Sequence, residues 1–79
     1  MSSLREISDR AVADFGFRQA VMWNPDDVAE RWNLSDKERE VLNDVLGPEL
    51  EALPNPVEPD DVPTQQTLVG GIIENALSE

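Results

Sequence analysis

The sequence predicts an all-α fold: a small helical domain of three to four helices over residues 1–53, an extended Pro-rich acidic linker over 54–63, and a flexible C-terminal tail over 64–79. Three observations lead there. Apolar residues in the first half recur at three- and four-residue spacing, the period of a helix with one buried face. Helix-start signals stand in front of those stretches. Four prolines (Pro54, Pro56, Pro59 and Pro63) then fall within ten residues, where the missing N–H groups forbid a helix.

The elements follow in order. Ser3 and Glu6 have capping-box spacing, which starts the first helix near Ser3. Leu4, Ile7, Ala11 and Phe15 continue one apolar stripe, which Gly16 breaks or bends before Phe17, Ala20 and Val21. Asn24-Pro25-Asp26-Asp27 begins a short second helix that runs through Trp32. Asn caps it, Pro loses nothing at the first helical position, and the two acids sit on the positive end of the dipole. Ser35 and Glu38 form another capping box, and the third helix runs to Leu46, where Gly47-Pro48 stops it. Pro48 to Leu53 reads as a short fourth helix. The expected core comprises Leu4, Ile7, Phe15, Phe17, Val21, Met22, Val28, Trp32, Leu34, Val41, Leu42, Val45 and Leu46. A core of that size typically supplies no more than about 3–5 kcal/mol, so stabilisation by a partner is expected.

Composition excludes several functions. With no Cys and no His among the 79 residues, disulfide frameworks, thiolate or imidazole metal sites, Cys nucleophiles and His-based triads are ruled out. Six basic against seventeen acidic residues give a net charge of −11, which repels nucleic acid and anionic membrane surfaces alike. The charge is uneven: residues 1–46 hold all six basic residues with ten acids, and residues 47–79 hold seven acids and no base. No apolar run approaches the roughly 18 residues of a membrane span, and the N-terminus lacks the apolar stretch of a signal peptide. The expectation is a cytoplasmic chain.

Little in the sequence suggests catalysis or a cofactor. The carboxylate pairs Asp26/Asp27 and Asp60/Asp61 have ready roles as dipole partners and solubilisers, and no Asp-x-Asp-x-Asp-Gly calcium loop is present. Trp23 and Trp32 read more readily as core than as a ligand-binding aromatic pair. No metal site, cofactor or enzymatic activity is expected.

The tail holds the more informative residues. Gly70-Gly71 is a joint that a narrow protease channel could thread before cutting after Gly71, or equally a loop between two binding segments. Ile72, Ile73, Ala76 and Leu77 have helical spacing, so a short amphipathic helix docked on the core stands as the plainer alternative to a free tail.

The stretches Arg10-Ala-Val-Ala-Asp14, Phe17-Arg18-Gln-Ala-Val-Met22, Asn24-Pro25 and Ala52-Leu-Pro-Asn-Pro-Val-Glu58 resemble leader regions of actinobacterial ribosomally synthesised and post-translationally modified peptides, notably cinnamycin-type lanthipeptide leaders and nitrile-hydratase-like leaders. Asn24 to Glu38 is also similar to the helical binding domain of split borosin precursors and to the small subunit of aromatic-ring-opening dioxygenases. The resemblance covers roughly residues 10–58 and implies a precursor or scaffold peptide whose front half docks on a modifying enzyme while the proline tether holds the tail near its active site. The absence of Cys departs from the lanthipeptide pattern and removes thioether rings and thiazolines as products.

Under that reading the candidate partner-binding residues are Phe15, Phe17, Arg18, Val21 and Trp32 on the helices and Leu53 and Val57 beyond them. Candidate modification sites are Thr64, Thr67, Glu74, Ser78 and Glu79, with Gly70 and Gly71 as the candidate cleavage site for a peptidase. Backbone N-methylation around Leu68 to Ile73 and extension of the C-terminus remain open. Docking through the helices in an apolar groove is preferred over strand addition by Leu53 to Val62, because four prolines would forfeit ladder bonds. Two other functions stay in view: a non-catalytic accessory subunit similar to the dioxygenase small subunit, and an acidic inhibitor or antitoxin-type protein that plugs a basic site.

Overall fold

A computed structural model describes residues 3–54 and 57–78. Helix α1 (Ser3–Ala13) lies against the long C-terminal helix α6 (Val62–Ser78); α2 (Phe15–Trp23) packs on α1, α4 (Asp36–Val41) on α6, and α3 (Pro25–Arg31) and α5 (Gly47–Glu51) on α2. No strand occurs among the described residues. All-α is thus correct; the stretch expected to hold three to four helices contains five α-helical segments among the described residues, the last two joined through a π-helical turn, and the sixth, α6, lies in the stretch expected as a tail.

The long first stripe is interrupted at Asp14, two residues before the glycine. Asp14 is extended (φ −122°, ψ 108°), and its side chain accepts from the Phe17 N–H at 3.1 Å, which starts α2 as an N-cap. Capping ends one helix and begins the next without a loop. The orphan carbonyls at the end of α1 are then taken up by Arg18, one turn into α2. Its Nε donates to the Ala11 carbonyl at 3.0 Å and its Nη2 to the Val12 carbonyl at 3.1 Å.

Asn24 caps α3 through the Asp27 N–H at 3.3 Å. The helix ends in a Schellman motif. Asn33 takes φ 53°, the left-handed conformation that Asn tolerates, the Leu34 N–H donates to the Ala29 carbonyl at 2.9 Å, and Leu34 is buried beneath. The Ser35–Glu38 capping box forms in both directions and opens α4.

The expected stop at Gly47-Pro48 does not occur. Residues Leu42–Leu46 widen into a π-helical turn, and the helix passes through Gly47 and Pro48 into α5. Proline in a helix interior removes one N–H and crowds the carbonyl four residues back. Widening that turn relieves the crowding, and the Gly47 N–H reaches back to the Leu42 carbonyl.

The C-terminal residues form a docked helix, the alternative to a free tail, and it is longer than Ile72 to Leu77 alone. Pro59–Asp61 make a 3₁₀ turn and Pro63 sits in the first turn of α6, where a missing N–H is tolerated. The 17 residues of α6 bury Val69, Gly70 and Ile73 against the body, with Val62, Ala76 and Leu77 packed around them. The core therefore includes Leu50, Val69 and Ile73 in addition to the expected residues Leu4, Ile7, Val21, Val28, Leu34, Val41, Leu42 and Leu46. A Cα radius of gyration of 11.3 Å matches the roughly 11–12 Å of a folded chain of this length, which a trailing 16-residue tail would exceed.

The linker touches the body at two of its first four residues. The Pro54 carbonyl accepts from Arg18 Nη1 at 2.9 Å, and Val57 is buried. Among the described residues of segment 54–63, Pro59–Asp61 fold into the 3₁₀ turn that leads into α6.

Candidate docking surface

Two features leave apolar surface in solvent, and both follow from local chain geometry. Trp23 is the last residue of α2, and Asn24-Pro25 turns the chain into α3 immediately after it. The buried positions of α2 are Arg18 and Val21, so the helix faces the core at the other side and the Trp23 indole projects outward, 81% exposed. Trp23 is not core, against the sequence expectation. Trp32, at the C-cap of α3, is half-buried and packs on the core as expected.

Beside Trp23 runs a cleft of about 530 Å³. One wall is the α2–α3 corner: Val21, Met22, Trp23 and Pro25. The other is the π turn and α5: Leu42, Asn43, Gly47, Pro48 and Glu51. Such a volume lies in the range of ordinary binding clefts, roughly 300–1,000 Å³, and the lining is mostly apolar. The π turn shapes the second wall, and Asn43 there donates from Nδ2 to the Arg39 carbonyl at 3.1 Å. The stretches 21–25 and 42–51 that supply the walls contain Asp44, Glu49 and Glu51 and no lysine or arginine.

The second feature is the outer face of α6. Leu68 (56% exposed) and Ile72 (39%) stand one turn apart, flanked by exposed Thr64 and Thr67. The inner face is held by specific contacts. Arg5 bridges Asp9 on its own helix at 3.1 Å and Glu74 on α6 at 3.2 Å, and Gln66 Nε2 donates to the Asp9 carbonyl at 2.9 Å. Proximity of those two carboxylates, the hydrogen bond to Asp9 foremost, raises the Arg5 pKa above its ordinary value. Gly70 lies beneath the Arg5 side chain, where a β-carbon would overlap the guanidinium, whereas a β-carbon at Gly71 would meet nothing.

The residues singled out from sequence are distributed as follows. Phe15 and Phe17 are half-buried, with the guanidinium of Arg18 5.4 Å from the Phe15 ring and that of Arg10 4.5 Å from the Phe17 ring. Arg18 is 2% exposed, and burial lowers its pKa from the ordinary value. Val21 is buried and borders the cleft, Leu53 packs on the core, and Val57 is buried. Thr64, Thr67, Glu74 and Ser78 are exposed on α6, where the hydroxyls of Thr67 and Ser78 donate to the carbonyls of Pro63 and Glu74. Gly70 is buried and Gly71 half-buried inside the helix, and Glu79 lies outside the described residues.

The structure thus brings Val21 to a cleft whose exposed aromatic member, Trp23, reads from the sequence as core. The signal available was the Asn-Pro start directly behind it, which leaves a bulky side chain at a corner. No helix among the described residues is long and apolar enough to cross a membrane. No family model matches the chain, and neither a curated protein nor a solved structure matches it.

Proposed function

We propose that this chain is a non-catalytic docking protein: a precursor or scaffold peptide of a ribosomal peptide pathway that a larger modifying enzyme recognises as a folded helical body, in the cytoplasm. The observation that carries it is the outer face of α6, where Thr64 and Thr67 are exposed beside the apolar pair Leu68 and Ile72; Ser78 is exposed near the end of the same helix, and Glu74 is exposed while bridged to Arg5. Chemistry on those side chains is compatible with a folded body. Cleavage after Gly71 is not, because Gly70 is buried in α6 beneath Arg5, so a peptidase acts only once α6 has left α1 and unwound.

The burial of Val69, Gly70 and Ile73 favours a second reading, a small accessory subunit that stays unmodified beside a catalytic chain. Co-expression with the enzymes encoded next to it, followed by intact-mass measurement, separates the two. A mass change confined to residues 64–79 supports the precursor. A stoichiometric complex with unchanged mass supports the subunit, and the absence of any complex overturns both.

A further inference from the structure

We infer that the cleft beside Trp23 is the docking site for an amphipathic helix of a partner protein, one with an apolar ridge flanked by lysine and arginine. The inference rests on the docking function proposed above and adds where the partner sits and what chemistry it presents. An indole 81% exposed at the lip of a largely apolar cleft has the make-up of an interface anchor, since aromatic residues in pockets dominate binding energy. The occupant's charge follows from the walls. Glu51 is the one charged residue lining the cleft, Asp44 and Glu49 lie in the same stretch as the second wall, Asp26 follows at the start of α3 where Asp27 is paired with Arg31 at 3.0 Å, and the whole chain is at −11. A cationic flank is attracted there, and a second copy of this acidic chain is repelled.

A helix is the form that fits. Strand addition requires a sheet edge with unpaired backbone groups, and the cleft is walled by helices whose backbone hydrogen bonds run within themselves. The π turn at Leu42–Leu46 forms part of one wall, and such turns recur at binding sites because they displace side chains from a regular helix.

The test is calorimetric titration of the intact protein with three synthetic peptides of about twelve residues, a little over three helical turns. One has a leucine ridge and lysine flanks, one the same ridge with glutamate flanks, and one lysine flanks with serine replacing the ridge. Saturable binding of the first, at least tenfold tighter than either of the others and weakened at least tenfold by Trp23→Ala, is expected. Equal binding of the glutamate peptide, equal binding of the serine-ridge peptide, or binding indifferent to Trp23→Ala overturns it. A dimer in sedimentation that Trp23→Ala abolishes also overturns it, by assigning the cleft to a second copy. If Trp23→Ala still forms the enzyme complex at wild-type affinity, the docking function stands and this placement of it fails.

Discussion

Arg18 reaches across 36 residues of sequence to donate from Nη1 to the carbonyl of Pro54 at 2.9 Å. The same guanidinium closes the end of α1 through Ala11 and Val12, so one side chain joins the first helix corner to the start of the linker. A planar fork with several fixed donors suits that task, and an ammonium does not. Arg18→Ala leaves carbonyls without their partner in a region the side chain had sealed. Each charged hydrogen bond of this kind is worth roughly 1.5–3 kcal/mol, so a loss of about 3 kcal/mol or more is expected in chemical denaturation. Arg18→Lys falls between the two. A loss below about 1 kcal/mol for Arg18→Ala would show that the guanidinium is not a structural tie.

The two adjacent glycines separate by environment. Gly71→Ala adds a methyl group into open space and removes the conformational entropy that glycine brings to the unfolded chain, a gain of about 0.5–1 kcal/mol. Gly70→Ala forces Arg5 aside and breaks its bridge from Asp9 to Glu74. Thermal unfolding should place Gly71→Ala above the wild type by a few degrees and Gly70→Ala at or below it. Equal stabilisation by both would mean that Arg5 does not cross there.

The two tryptophans make a similar pair. Trp23→Ala changes stability by no more than about 0.5 kcal/mol, because the indole is already in water. Trp32→Ala removes a half-buried ring that packs on the core and costs about 2 kcal/mol. Urea titration of both variants checks this, and the reverse order would place Trp23 inside.

The first half of the fold was legible because its signals are local. The Asn24 cap and the Ser35–Glu38 box each act within a turn or two, and both take the expected form. What escaped depends on distant partners. Asp14 became the break because Arg18 could cap α1 from the far side, and Pro48 was absorbed because the preceding turn could widen. The tail was legible only as an alternative helix over Ile72 to Leu77; its extension back through the glycines to Val62 escaped for the same reason, because Gly-Gly and Pro-rich flanks disfavour a helix locally, while Val69 and Ile73 reward one only when α1 lies alongside. Arg5 over Gly70 is a contact between residues at opposite ends of the chain, and no window of sequence contains both.

The C-terminal helix as part of the folded body is the claim on which both functional readings turn. Native-state amide exchange at Val69 and Ile73 tests it most directly. Those amides should exchange as slowly as Ile7 and Ala11 of α1 and lose protection together with them as denaturant is added. Exchange at the rate of an unstructured chain, with α1 still protected, would contradict it and return residues 64–79 to a free tail.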